Sequence, residues 1–148
     1  QGPDEARLRR LADELHVSDR VHFIGEISPQ RVGEFLASLD VFVFPSRAET
    51  FGLAAVEAAS SGVPTVVRDL PVLQEVLSVD GKPAALFVDA SDNEKLSTAV
   101  SRVLNDKNLR DELRRTGEGL ASRYSVDAMV GEYVRVLDET IPTAGGQP

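Results

Sequence analysis

Residues 41–64 read VFVFPSRAETFGLAAVEAASSGVP, and this order predicts a strand, a loop, a helix and a turn. Val41–Phe44 is a short run of apolar, β-prone residues, which is typical of a buried parallel strand. From about Gly52 the Leu, Ala, Val and Glu content favours a helix, and Gly62 indicates where that helix ends. Because a second β-prone run, Val63–Val67, follows directly, the stretch predicts one strand–helix–strand unit of a parallel α/β sheet.

The junction between this strand and this helix is a known kind of ligand site. Ligands of open α/β sheets bind beyond the carboxyl ends of the strands, and the first N–H groups of a helix are unpaired and suit phosphate. Glu49 lies in the loop before the helix and Glu57 lies one to two turns into it, with seven residues between them. If the loop folds over the start of the helix, both carboxylates face one cavity. Two glutamates at this spacing also occur by chance, so the pair alone leaves a plain surface role open.

The residues around the two glutamates make the pattern more specific. They form a frame of Pro-Ser, Glu, Phe-Gly-Leu, Glu-Ala, Gly and Pro at positions 45–46, 49, 51–53, 57–58, 62 and 64. In this frame the sequence resembles the retaining glycosyltransferases of the GT-B architecture, of the glycosyl transferases group 1 (family 4-like) type. The resemblance runs from about Gly2 to about Thr140 and covers only the C-terminal, nucleotide-sugar-binding half of such an enzyme.

The resemblance implies a role for each residue of the frame. Glu49 is implied as the catalytic residue, in contact with hydroxyls of the donor sugar. Glu57 is implied as the ligand of the ribose hydroxyls, since a carboxylate accepts two hydrogen bonds from a vicinal diol. The sugar or the diphosphate would meet the N–H groups of Phe51, Gly52 and Leu53, with Gly52 allowing close approach. The implied donor substrate is a nucleotide-sugar, and neither a metal nor another cofactor is implied.

A further part of the donor site is implied nearer the amino end. Val21–Ile24 reads as a strand. The resemblance places the loop after it, with Gly25 and Ile27, beside the nucleotide base. The alternative is that this loop is only a turn before Ser28, which is predicted to cap a helix with Pro29 at its first position.

Other residues near the junction are weaker candidates. Arg47 and Arg68 are expected as surface residues rather than phosphate ligands, because the family pattern places its phosphate-binding Arg and Lys before residue 1 of this sequence. The family has a small-residue loop where this chain has Asp69–Pro71. Glu75, in the short helix that follows, is open to a donor-binding role or a plain surface role.

The size and composition of the chain limit the classes of function. Its 148 residues amount to one domain, and 42% hydrophobic residues suffice for a core. The net charge of −8 argues against general binding to nucleic acid or to an anionic membrane. The absence of cysteine excludes disulfide and thiol chemistry and favours a reducing cytoplasm. No apolar run approaches the ~20 residues of a membrane span, although peripheral membrane contact of the full-length protein stays open.

The whole pattern predicts a Rossmann-like α/β fold, with a parallel sheet and flanking helices. The expected strands are the runs at 21–24, 41–44, 63–67 and 84–88, and helices follow them. We expect a C-terminal GT-B half at residues 1–141 that lacks its first two strands, and a disordered tail at 142–148. Because the strand at 21–24 then lacks its usual neighbours, a rearranged sheet or a homodimer through an exposed edge is expected.

The last helix is expected to present an apolar stripe that includes Met129, Tyr133 and Leu137. In the resembling family this helix often crosses back to the N-terminal domain, which carries the acceptor site. We expect the 148 residues to lack that acceptor domain. The stripe is therefore expected to be partly exposed and to seek a partner.

The implied reaction is transfer of a sugar from a nucleotide-sugar to an unidentified acceptor, with retention and with electrostatic stabilisation of the leaving group. Without the acceptor domain, the chain alone is expected to bind donor weakly and not to turn over. One alternative is a relative of the same architecture, such as a nucleotide-sugar epimerase, or a phosphorylase that needs pyridoxal phosphate on a lysine. Lys82, Lys95 and Lys107 lie in settings that do not suggest such a lysine. The other alternative is an α/β protein-interaction module.

Overall fold

The computed structural model describes residues 2–140 of the chain. The predicted tail at 142–148 lies outside the described residues. The described chain divides into two compact units between Phe35 and Leu36. The second unit contains the sheet and the strand–helix junction on which the functional prediction depends.

The first unit holds helical elements followed by an irregular segment. The elements are α1 (Glu5–Glu14), a 3-10 turn (Ser18–Arg20) and the start of α2 (Pro29–Ala37). Of the apolar residues along α1, Ala12 is buried, whereas Leu8, Leu11 and Leu15 are exposed. The Arg9 guanidinium lies 4.4 Å from the centre of the Phe23 ring, and this cation–π contact holds the irregular segment against α1.

The predicted strand at Val21–Ile24 is wrong. This segment belongs to neither sheet in the described part of the chain, and Val21 and Ile24 are exposed. A strand forms only where a neighbour completes its ladder of N–H···O=C bonds, and β-prone side chains do not supply that neighbour. The predicted helix that begins at Pro29 after Ser28 is confirmed.

A three-stranded parallel sheet lies at the centre of the second unit. Its strands are β1 (Phe42–Phe44), β2 (Thr65–Arg68) and β5 (Leu86–Val88), in the order β1-β2-β5. The register pairs Val43 with Val66 and Val66 with Leu86. Three of the four predicted strands are confirmed, each slightly shorter than its β-prone run. The sheet within residues 2–140 therefore has β1 at one edge and β5 at the other.

The central strand divides the core into two clusters. Val66 and Val67 are fully buried neighbours on β2, and successive side chains of a strand point to opposite faces. Val67 joins a cluster with residues of α3 (Leu53–Ser60), α4 (Pro71–Val76) and α6 (Lys107–Arg123), whereas Val66 joins a cluster with residues of α5 (Asn93–Asn105) and Leu113 of α6. Helices thus cover both faces of the sheet, as the Rossmann-like prediction requires.

A two-stranded hairpin follows α4 in the second unit. Its strands are β3 (Ser78–Val79) and β4 (Lys82–Pro83). Asp80 and Gly81 have φ angles of +51° and +74°, the conformation of a tight hairpin turn.

The last helix, α7 (Val126–Thr140), buries none of its residues. Its large apolar side chains are 48–70% exposed, among them Val126, Met129, Val130, Tyr133, Val134, Val136 and Leu137. The predicted exposure of this stripe is confirmed. Within the described residues, none of the helices is both long and apolar enough to cross a membrane.

Candidate functional site

Gly52 sets the geometry of the junction between the β1 loop and α3. It is the N-cap of α3 with φ +84°, a left-handed conformation that favours glycine. A Cβ atom built on Gly52 would lie 2.5 Å from Cδ2 of Leu73, which is fully buried. Both the backbone angle and the core behind it therefore require glycine where the loop becomes the helix.

The start of α3 presents unpaired backbone donors. The N–H groups of Ala55 and Val56 donate to the Gly52 carbonyl at 2.9 and 3.1 Å, and Gly52 has no side chain to cap the others. In residues 2–140 no acceptor faces the N–H groups of residues 51–54. Free donors at a helix start carry partial positive charge and suit an anion. The amides predicted at Phe51, Gly52 and Leu53, and that of Ala54, thus lack acceptors within residues 2–140, and of these four residues Gly52 is buried.

The two glutamates belong to the loop and the helix that the sequence predicts for them, and their meeting in one cavity stays a prediction. Glu49 is half-buried in the loop between β1 and α3, and Glu57 is exposed on α3. Leu53 and Glu57 are both exposed and lie four residues apart, so they share one face of the helix. Neither carboxylate has a hydrogen bond or an ion pair with another described residue. Glu57 therefore stands one turn beyond the free amides, with its full capacity to accept hydrogen bonds.

The loop before α3 is tied to the sheet at its start. Arg68 Nε, at the end of β2, donates to the Pro45 carbonyl at 3.4 Å, and Ser46 Oγ donates to the Ala48 carbonyl at 3.2 Å. Arg68 is half-buried and thus supports the loop, whereas Arg47 is exposed. Arg68 has a structural contact that the sequence alone did not indicate.

The Phe51 side chain fixes the other end of the same loop. Its ring meets the ring of Tyr124 edge-on, with 5.3 Å between centroids and 81° between planes. The Tyr124 hydroxyl donates to the Val76 carbonyl at the end of α4, at 3.0 Å. Such edge-to-face pairs add about 0.5–1.5 kcal/mol beyond the area they bury. In the sequence, Tyr124 is only the last residue of the apolar stripe along α6. No signal in the sequence therefore indicates that it supports the junction.

The remaining candidate residues belong to other segments of the chain. Gly25 lies in the first unit with φ +74° and open space around it, and Ile27, in the same unit, is half-buried. Their place beside the base stays a prediction. The Asp69 carboxylate accepts a hydrogen bond from Gln74, so the loop at Asp69–Pro71, where the family has small residues, is tied to α4. Glu75 is exposed on α4.

Among the described residues, the charged groups with shifted pKa values belong to elements other than α3 and the loop before it. The Ser91 hydroxyl, helped by the Ser91 N–H group and by Lys95, lowers the pKa of Asp89, and Asp89 in turn raises the pKa of Lys95. Hydrogen bonding from Lys107 lowers the pKa of Asp111. A cavity of about 490 Å³ between the hairpin and α6 is lined by Lys82, Asp111 and other polar residues, but not by Glu49 or Glu57.

Residues 1–119 match the family model described as Glycosyl transferases group 1. The D-inositol 3-phosphate glycosyltransferase of Acidothermus cellulolyticus is 36% identical over 137 residues, which is 90% of this chain and 30% of that protein. The MMP alpha-(1->4)-mannosyltransferase of Mycolicibacterium hassiacum is 35% identical over 144 residues, 95% of this chain and 33% of that protein. The chain thus spans about a third of the length of these curated relatives.

Solved structures share the fold. Sucrose-phosphate synthase from Thermosynechococcus elongatus matches with a TM-score of 0.74 at 27% identity, over 95% of this chain and 36% of that one. Anabaena HepE, solved in complex with UDP and glucose, matches with a TM-score of 0.78 at 19% identity, over 90% of this chain and 36% of that one. The predicted α/β fold with a parallel sheet and flanking helices is confirmed, and the likeness agrees with a C-terminal GT-B half.

Proposed function

The chain belongs to the glycosyl transferases group 1 family, and from this premise we propose that it is the donor-binding part of a retaining glycosyltransferase. The parent enzyme moves a sugar from a nucleotide-sugar to an acceptor, and the junction between β1 and α3 holds the donor. The family of the relatives supports the transfer reaction, whereas the roles of individual residues rest on the resemblance and the geometry of the junction.

The observation that carries the proposal is the shared face of α3. Free amides at residues 51–54 lie at its start, and the unpaired carboxylate of Glu57 lies one turn further on. Four residues of α-helix rise about 6 Å, which suits the separation between a diphosphate and the ribose diol to which it is joined. The amides bind the diphosphate or sugar, and Glu57 accepts hydrogen bonds from the diol.

The same geometry supplies the chemistry of the transfer. As the bond between sugar and diphosphate breaks, negative charge grows on the leaving phosphate, and donors held in place stabilise that charge without reorganising. Glu49, half-buried in the loop, orients the donor sugar through its hydroxyls. Gly25 and Ile27 are assigned to the base, and no metal is needed in this scheme. Anabaena HepE, which shares the fold, was solved with UDP and glucose, and this supports a nucleotide-sugar as the donor class.

The exposed face of α7 supports a partner for the chain. In the proposed parent enzyme this face packs against the N-terminal domain that binds the acceptor. The alternative partner is a second copy of the chain, in a homodimer through α7 or through the open edge of β1. The alternative function is a protein-interaction module that binds no donor. The proposed site of action is the cytoplasm, on the ground that the chain has no cysteine.

The proposal is tested by calorimetric titration of the 148-residue chain with UDP-, GDP- and ADP-sugars. We expect one nucleotide class to bind and Glu57→Gln to weaken its binding by about 10–150-fold, since a hydrogen bond to a charged group contributes about 1.5–3 kcal/mol. Glu112→Gln removes an exposed glutamate of α6 and serves as the matched control, with unchanged affinity. Equal affinities of Glu57→Gln and wild type, or no binding of any donor, would refute the proposal. Sugar transfer is expected only after an acceptor domain is supplied.

A further inference from the structure

Helix α6 contacts the last turn of α3, and α6 together with the residue after it contacts the segments just before and just after α3. We infer that α6 fixes the position of the donor helix, with Gly117 and Tyr124 as positioning residues for the donor site. The inference rests on the proposed function, because it assigns these residues a role in binding at the same site. Neither residue faces the exposed side of α3, so their effect on a donor would act through the position of the helix.

The contact with the last turn of α3 depends on the missing side chain of Gly117. A Cβ atom built there would lie 2.4 Å from the backbone oxygen of Ala59 and 3.0 Å from its carbonyl carbon. Ordinary contact begins near 3.4 Å, and here the neighbour is backbone, which cannot rotate away as a side chain can. An added methyl group therefore moves α3 away from α6 by about an ångström, because the interior has no free space to take it up.

The contacts at the two ends fix α3 along its axis. At the carboxyl end, Gly62 has φ +73° and the Arg114 Nε donates to the Gly62 carbonyl at 2.9 Å. At the amino end, the Tyr124 ring contacts Phe51, and the Tyr124 hydroxyl joins the same point to the Val76 carbonyl. Since Arg114, Gly117 and Tyr124 all belong to α6 or its end, this helix contributes directly to where the free amides and Glu57 lie.

The consequence for binding follows from the geometry of hydrogen bonds. A backbone donor acts on a bound oxygen at about 2.7–3.2 Å, and the interaction weakens steeply with misalignment. A shift of α3 by about an ångström takes several donors out of this range together. Gly117→Ala is therefore expected to lower the affinity for the nucleotide-sugar at least tenfold, although the substitution lies behind the site.

Gly119 offers a matched control on the same helix. A Cβ atom there would meet the Val79 side chain at 3.3 Å and would not touch α3. Gly117→Ala and Gly119→Ala gain the same helix propensity, so they differ mainly in the contact with α3. The ¹⁵N-labelled chain is measured twice, by amide chemical shifts of residues 52–54 without ligand and by titration with the donor class that the wild type binds. Gly117→Ala is expected to shift these amides and weaken binding, and Gly119→Ala to do neither.

Tyr124 provides the second test, which decides the matter if Gly117→Ala does not fold. Tyr124→Phe keeps the edge-on ring contact with Phe51, whereas Tyr124→Leu removes it. We expect the Leu variant to shift the amides and weaken binding at least several-fold, and the Phe variant to restore most of the affinity. Val103→Ala, which shrinks the other core cluster, lowers the melting temperature but leaves the affinity unchanged and so controls for plain destabilisation.

The two readouts separate this inference from the proposed function. If no nucleotide-sugar binds the wild type, the proposed function fails, and the ligand-free amide shifts still report whether α6 positions α3. If Gly117→Ala and Tyr124→Leu leave the amides of residues 52–54 and the donor affinity as in the wild type, the inference is overturned. The same holds if Gly119→Ala or Val103→Ala disturbs them equally.

Discussion

Substituting Gly52 by alanine tests whether the junction is as tightly determined as its geometry indicates. A left-handed backbone costs an L-residue about 1–2 kcal/mol, and Gly52 has φ +84°. The new Cβ would also lie 2.5 Å from Leu73 Cδ2, and forcing a methyl group into a filled core costs about 1–3 kcal/mol. Gly52→Ala is therefore expected to lower the free energy of unfolding by about 2–5 kcal/mol.

Gly81 separates the two contributions. It has φ +74°, yet a Cβ atom built on it meets nothing within 4 Å. Gly81→Ala is expected to show the backbone term alone, about 1–2 kcal/mol. Thermal and urea unfolding followed by circular dichroism measure the loss in free energy of unfolding for both variants. For a chain of this size, the loss expected for Gly52→Ala corresponds to a fall in melting temperature of about 5–15 °C.

A double-mutant cycle tests whether the extra destabilisation of Gly52→Ala, beyond that of Gly81→Ala, comes from the contact with Leu73. Leu73→Ala alone removes a fully buried side chain and costs about 2–5 kcal/mol, but it also opens the space that the alanine at 52 needs. The double variant is thus expected to be more stable than the sum of the single effects implies, by about 0.5–3 kcal/mol. The reasoning is refuted if Gly52→Ala costs no more than Gly81→Ala, or if the two effects add fully.

Three further predictions concern other parts of the chain. The Asp92 side chain accepts hydrogen bonds from the N–H groups of Glu94 and Lys95 at 2.9 and 3.2 Å. Asp92→Ala is therefore expected to lower the free energy of unfolding by about 0.5–2 kcal/mol, and an unchanged midpoint of urea unfolding would contradict this. The Ser91 hydroxyl lowers the pKa of Asp89 below 3.8, so the ionised carboxylate stabilises the fold above that pH, and the stabilisation is lost as the pH falls through the folded-state pKa. The difference in melting temperature between wild type and Asp89→Asn is therefore expected to narrow as the pH falls below about 4, and a difference that does not narrow in acid would exclude this origin. Met129 is 54% exposed on α7, so Met129→Lys is expected to reduce any concentration-dependent association measured by light scattering. The melting temperature is expected to stay nearly unchanged, and a large loss of stability would show that the Met129 side chain is packed.

The sequence predicted the junction well because its determinants are local. A β-prone run, a breaking Pro-Ser pair and a helix-favouring run lie within 24 consecutive residues, and Gly62 ends α3 where expected. From the sequence, the glycine at position 52 was explained by close approach to a ligand. The structure gives a second reason for a glycine there, since the Leu73 side chain occupies the space behind it.

The errors and omissions concern features that depend on distant parts of the chain. Val21–Ile24 has the composition of a strand but pairs with none in the described residues, and composition does not reveal that. Tyr124 lies 73 positions from Phe51, and only the folded chain brings the two rings together. From the sequence, Gly117 is only a residue of low helix propensity within a helix. In the structure, its missing side chain lets the Ala59 backbone approach closely. The exposure of α7 was predicted only through the resemblance.

An NMR titration of the ¹⁵N-labelled chain with UDP-, GDP- and ADP-sugars tests the central claim most directly, since it locates the donor as well as detecting it. The account predicts that one nucleotide class produces saturable shifts that are largest at the amides of residues 52–54 and around Glu57, and that Glu57→Gln weakens them. Saturable shifts clustered at the cavity between the hairpin and α6, around Lys82 and Asp111, would contradict it.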